Sequence, residues 1–168
     1  HGASSPTGEP TSSSALDASP EILELVGALL DFPDIAKERF DEIEDLELEH
    51  RGLLGLLHLL RATETDELDR KLREILTNPG DELYKRWALE RLVSPRYRIR
   101  EDAQAAFDDC HGMIVRRGIE RKLVEVKQEM DEAIRSGNSD RVDALAKERT
   151  RLNRMRVKRP AVEGEMAG

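Results

Sequence analysis

The apolar positions fall at helical spacing from Ser19 almost to the end of the chain. Ser19-Pro20-Glu21 has the form of a helix start: a hydroxyl that can cap, a proline in the first turn, and an acid facing the positive helix end. Behind it, Ile22, Leu25, Val26 and Leu29 recur at steps of three and four, and Leu30 widens the stripe. Asp31-Phe32-Pro33 ends this helix, and Pro33-Asp34 opens a short second one through Ile35, Ala36 and Phe40. Residues 41–48 read as a loop or short turn. From Glu49 to Arg61, Leu53, Leu54, Leu56, Leu57, Leu59 and Leu60 make a helix apolar on most sides, the pattern of a central bundle helix. Thr65-Asp66-Glu67 starts another, with Leu68, Leu72, Ile75 and Leu76 on one face. Asn78-Pro79 restarts the chain, Leu83, Trp87, Ala88 and Leu92 form the next stripe, and Ser94-Pro95 breaks it.

From about Ile99 the pattern lengthens. Ile99, Ala103, Ala106, Cys110 and Ile114 share one face, with Phe107 beside them. Ile119, Leu123, Val126, Met130 and Ala133 then continue at alternating steps of four and three. Gly137-Asn138-Ser139 combines a helix stop with a helix start. A last helix follows with Val142, Leu145 and Leu152 on its seam and Arg149 between them, fading before Pro160. No stretch alternates apolar and polar residues long enough for a sheet. The fold class is all-α: a compact bundle of five or six short helices, then a long antiparallel helical hairpin. The expected parts are a flexible linker or tag remnant (1–18), a bundle (19–111), a hairpin (112–157) and a flexible tail (158–168). Gly112 and Gly118 interrupt the long stripe, each costing about 1 kcal/mol against alanine inside a helix. They are read as a hinge between bundle and hairpin, which puts one unbroken helix in doubt.

Composition supports this reading and narrows the chemistry. Of 168 residues, 37% are charged and only 4% aromatic, which suits aliphatic helix packing and leaves few rings for a broad sheet core. No apolar run approaches the roughly 20 residues of a membrane span, and one cysteine forms no internal disulfide, so a cytoplasmic origin is expected. The chain does not begin with Met and reads as a fragment of a longer protein. The net charge of −8 is unevenly distributed: residues 1–115 carry 13 Lys and Arg against 25 acids, whereas 116–159 carry 14 against 8. An acidic body is joined to a basic extension.

Candidate chemistry is sparse. Cys110 and His111 are adjacent and diverge around a helix, and His50 and His58 are eight apart rather than the four that converge on one metal. The acids Asp41, Glu42, Glu44, Asp45, Glu47 and Glu49 could hold magnesium beside a phosphate-binding loop, but no glycine-rich loop accompanies them. There is no nucleophile elbow, so no catalytic, cofactor or metal residue is assigned and the fragment is not read as an enzyme. The basic extension is the one functional surface. Its cations could contact phosphates, and the stretch Arg149 to Arg159 is the least balanced by acids. It holds no aromatic residue for base stacking, and an acidic protein partner fits it at least as well.

The order of these features resembles the C-terminal helicase-binding domain of bacterial DnaG-type DNA primases. The segment Glu21-Ile-Leu-Glu-Leu-Val-Gly-Ala-Leu-Leu-Asp-Phe-Pro-Asp34 is similar to that family's Leu-rich first helix closed by proline, and Phe40…His50-Arg-Gly-Leu-Leu54 to its next segment. Cys110-His-Gly-Met-Ile…Ile119-Glu-Arg-Lys-Leu…Glu129…Ala133…Gly137-Asn-Ser-Asp140…Leu145…Glu148…Leu152 is similar to its long helix, turn and final helix. The resemblance covers about residues 19–157. It implies a parent primase whose zinc-binding and magnesium-dependent catalytic parts lie elsewhere. This domain would recruit that parent to the hexameric replicative helicase through the helicase's N-terminal domain. The expected contact is the end of the last helix, at Leu145, Arg149, Leu152, Met155 and Arg156: an apolar anchor rimmed by arginines. A hairpin that binds nucleic acid directly, or a coiled-coil adaptor of another assembly, are the alternatives.

Overall fold

The computed structural model describes residues 18–48, 50–78 and 82–158, which hold eight helices and no strand. None of these helices is long and apolar enough to cross a membrane. They are α1 (Pro20–Asp31), α2 (Pro33–Glu38), α3 (Phe40–Glu44), α4 (Arg51–Ala62), α5 (Thr65–Thr77), α6 (Glu82–Val93), α7 (Arg100–Arg135) and α8 (Ser139–Lys158). Of the expected linker (1–18) and tail (158–168), residues 1–17 and 159–168 lie outside the described residues, and Lys158 still belongs to the last helix. The chain divides into two compact units, meeting between Cys110 and His111.

The first unit is built around α1. Ser19 caps it as its pattern suggests, its hydroxyl accepting from the Ile22 N–H at 3.2 Å. Leu25, Val26, Ala28 and Leu29 are at most 1% exposed, because α2, α4 and α6 all pack on this helix. This corrects the expectation that the leucine-rich helix from residue 49 is central. That helix starts at Arg51, capped by His50 Nδ1 accepting from the Leu53 N–H, and buries Leu53, Leu56, Leu57 and Leu60 while Leu54 and Leu59 stay half-buried. Leu68, Leu72 and Leu76 of α5, Ala88 of α6, and Ala103, Phe107 and Cys110 of α7 complete the core.

Two further details depart from the sequence pattern. The acidic stretch after Pro33 is helical to Glu44 but broken at Arg39, whose guanidinium is drawn to Glu42 and to Asp108 on α7 while lying 4.8 Å above the Phe107 ring. Phe40 is 38% exposed, its ring covered by the Arg61 guanidinium at 3.8 Å. In α7, Ile99 and Ala106 do not form the buried stripe. Ile99 precedes the helix and is largely exposed, and Phe107 takes the inward position.

The second unit is a helical hairpin. Ile119, Val126, Ala133, Leu145 and Leu152 form its buried seam, flanked by Val115, Leu123, Met130, Val142 and Met155. Its turn follows from three residues. Gly137 adopts φ +73°, a left-handed conformation open to glycine at little cost, so its N–H reaches the Ile134 carbonyl and the Asn138 N–H reaches the Ala133 carbonyl. Asn138 then caps α8, its Oδ1 accepting from the Arg141 N–H at 3.1 Å. α7 is one helix through Gly112 and Gly118, which removes the doubt about its continuity.

Candidate interaction surface

The hairpin places its side chains by simple rules. In an antiparallel pair the residues of α7 and α8 meet level by level, and two contacts fix the levels. Arg141 bonds Glu129 at 3.1 Å, and Lys122 lies close enough to Glu148 to help hold that carboxyl below its usual range, the main cause being the Arg151 guanidinium bonded to it. A cut between these levels divides the hairpin into a turn half, 124–147, and a basic half, 111–123 with 148–158. The basic half carries nine Lys and Arg against two acids, a formal +7, and the turn half four against six, a formal −2. The sequence pattern displayed a basic extension. The fold concentrates its positive charge in one half.

The expected contact residues separate on this scaffold. Leu145 is 4% exposed and Leu152 1%, both enclosed in the seam between the two helices. They are therefore corrected from partner anchors to hairpin core: the opposing helix still covers α8 at the level of Leu152, where it was expected to have turned away. Met155 is half-buried against the same seam, and Arg149 and Arg156 are exposed. Arg149 and Arg156 repeat the register of Val142 at seven-residue steps, so at this seam position arginine stands where the turn half has an aliphatic side chain.

Apolar groups that a partner could reach lie elsewhere on the hairpin. Val124 is 56% and Ile134 61% exposed, both in the turn half. They are ten residues apart on α7, which sets them about 15 Å apart along the helix axis and about 80° apart around it. Met113 and Val157 are exposed at the far end of the basic half. Sequence reasoning passed over Val124 and Ile134 because neither belongs to a stripe; an isolated apolar residue among charges was the available signal. On the other side of the seam, an open groove of about 480 Å³ is lined by groups of both signs, Lys122, Glu125, Glu129, Arg141 and Glu148 among them.

The first unit presents a different electrostatic surface from the one its net charge suggests. Asp31, Asp34, Glu38 and Glu24 on α1 and α2 are matched by arginines 60 to 72 positions later: Arg91 on Asp31, Arg100 on Asp34 and Glu38, Arg96 on Glu24. Glu42 and Glu44 of the acidic run pair with Arg39 and Arg61. Cys110 and His111 are both buried, and burial pushes the Cys110 thiol up to about 11, with Glu24, Asp109 and Glu21 adding to the shift. Among the described residues no three His, Cys, Asp or Glu side chains converge on a common point. Glu49, the last of the acidic run, and Pro79 lie outside the described residues.

Comparison with protein families, with curated proteins and with solved structures returns no match for this chain.

Proposed function

We propose that this chain is a protein-docking module: the domain that attaches a bacterial DNA primase to its hexameric replicative helicase. The parent enzyme supplies the chemistry of primer synthesis, with its own zinc and magnesium, in the bacterial cytoplasm at the replication fork. The observation that carries the reading is the order of parts. A Leu-rich first helix closed by proline leads a set of short helices, and a long helix, a glycine-asparagine turn and a further helix follow among the described residues. The same order is what the sequence shares with the primase family.

The docking surface moves from the position first expected. An interface core is depleted of charge and centred on reachable apolar groups. Leu145 and Leu152 are both enclosed in the seam, and a formal +7 surrounds what the basic half leaves exposed. Ile134 and Val124, in the nearly balanced turn half, are the better anchors. The test is titration calorimetry of the 168-residue chain against the helicase N-terminal domain. Ile134→Ser with Val124→Ser weakens binding about tenfold or more, while helicity is unchanged because both side chains already face water. Arg149→Ser with Arg156→Ser leaves the affinity within about threefold. No binding by the unaltered chain overturns the reading. A loss confined to the arginine variant returns the contact to the basic half.

A further inference from the structure

The basic half of the hairpin calls for a partner of its own. Arg116, Arg121, Arg149, Arg154 and Arg156 make no ion pair among the described residues, and all but the half-buried Arg116 are exposed. One of the two acids in this half, Glu148, is already committed to Arg151. Arg149, Arg151, Arg154 and Arg156 rise within about 10 Å of α8, and Arg116 and Arg121 face the same levels from α7. Like charges held this close repel one another unless an anion joins them, and folding gains nothing visible from the arrangement.

Chemistry selects the anion. Guanidinium groups bind phosphate oxygens through two parallel N–H donors. A nucleic-acid duplex presents about one phosphate charge per 1.7 Å of axis, so a 10 Å stretch offers about six. No Phe, Tyr or Trp occurs anywhere from 111 to 158, which leaves nothing to stack on bases, and the arginines lie on several faces of two helices rather than in one reading edge. Contact of this kind reads charge and not sequence. An acidic protein would want an apolar centre as well; here Met155 is drawn into the seam, and the exposed Met113 and Val157 lie at the far end rather than among the arginines.

We propose that the basic half of the hairpin binds the phosphate backbone of duplex nucleic acid, without sequence preference, through Arg116, Arg121, Arg149, Arg154 and Arg156. This is a second site, separate from the docking flank at Val124 and Ile134, so one bound helicase and one nearby duplex can be held together. Within the hairpin, the turn half at a formal −2 offers a polyanion no such attraction.

The experiment is fluorescence anisotropy of the 168-residue chain with a labelled 20-base-pair duplex of random sequence, over about 25–200 mM salt. For about four phosphates engaged, log K falls against log salt with a slope near −3.6. Arg149→Ser with Arg156→Ser makes that slope shallower by about 2 and weakens binding about tenfold or more at low salt. Arg135→Ser, exposed in the turn half, changes affinity by less than about twofold. Circular dichroism of each variant excludes loss of helix as the cause. A flat salt dependence, equal effects of the Arg135 and Arg149/Arg156 variants, or no binding at 25 mM salt overturns the proposal. Poly-L-glutamate that binds as tightly as the duplex at equal charge overturns it too, and gives the site to an acidic protein.

Discussion

Replacing Gly27 with alanine should destabilise the protein, although Gly27 lies inside α1, where that exchange ordinarily gains about 1 kcal/mol. A methyl group at Gly27 would stand 2.3 Å from Nη1 and 2.6 Å from Cζ of Arg91. A surface arginine would swing aside, but this one is held. Asp31, with its side chain 1% exposed, accepts from Arg91 Nε at 3.1 Å and Nη2 at 3.0 Å, and from the backbone N–H groups of Arg96 and Tyr97. Displacing the guanidinium leaves a buried carboxylate without its counter-ion, which costs about 3–5 kcal/mol. Subtracting the helical gain leaves a net loss of about 2–4 kcal/mol, a large part of the ~5–15 kcal/mol that holds an ordinary domain together. Urea unfolding followed by the fluorescence of Trp87, one helical turn before Arg91 and the only tryptophan, reads the first unit directly. In an Arg91→Ala background the same alanine should instead stabilise, by about 1 kcal/mol, because nothing remains for its methyl to displace. Stabilisation by Gly27→Ala in the unaltered chain would refute the reasoning.

Other consequences can be measured independently. Gly137→Ala forces a side chain into the left-handed region and should cost the hairpin about 1–2 kcal/mol, seen as faster amide exchange near the turn; unchanged exchange there would contradict the turn's role. Stability should fall at alkaline pH. Burial, with Glu24, Asp109 and Glu21 nearby, pushes the Cys110 thiol up from 9.0 to about 11, and burial with a hydrogen bond to Glu24 pushes the Tyr97 hydroxyl up from 10.0 to about 12. Both hold their protons more tightly when folded, so their contribution is full below the unfolded values and is lost as pH rises through the folded ones. Cys110→Ala and Tyr97→Phe should flatten the alkaline limb of a stability–pH profile, and an unchanged slope in both would count against it. The hinge expected at Gly112 and Gly118 concerns motion within a helix that is continuous in structure. Amides there should exchange faster than those of 119–135, and alanine at both positions, where added methyls meet nothing closer than 3.9 Å, should slow them and add about 0.4–1 kcal/mol each. Exchange as slow as the flanks in the unaltered chain would argue against a hinge.

Helix type and order were legible because periodicity is a local signal: the Ser19 cap, the Gly137 stop and the seam at Ile119, Val126 and Ala133 all depend on residues within a turn or two of each other. Centrality was not legible. The leucine count favoured α4, but α1 is the more enclosed helix, because Gly27 lets a guanidinium cross its face and Ala28 adds little bulk there. The arginine–carboxylate pairs of the first unit span about 60 to 70 positions, beyond any pattern read along the chain, and so the acidic body seemed more open than it is. The interaction surface was half legible. Arg149 and Arg156 stand exposed as their charges suggest, while Leu145 and Leu152 could equally have closed the hairpin or faced a partner, since a heptad stripe specifies an apolar face and not its occupant.

Hydrogen exchange of the 168-residue chain, alone and with the hexameric helicase, tests the docking account most directly. The account predicts slower exchange from about residue 124 through the turn to Val142 when helicase is added, and loss of that protection in Ile134→Ser. Unchanged exchange throughout, or protection confined to the helices between Pro20 and Val93, would contradict it.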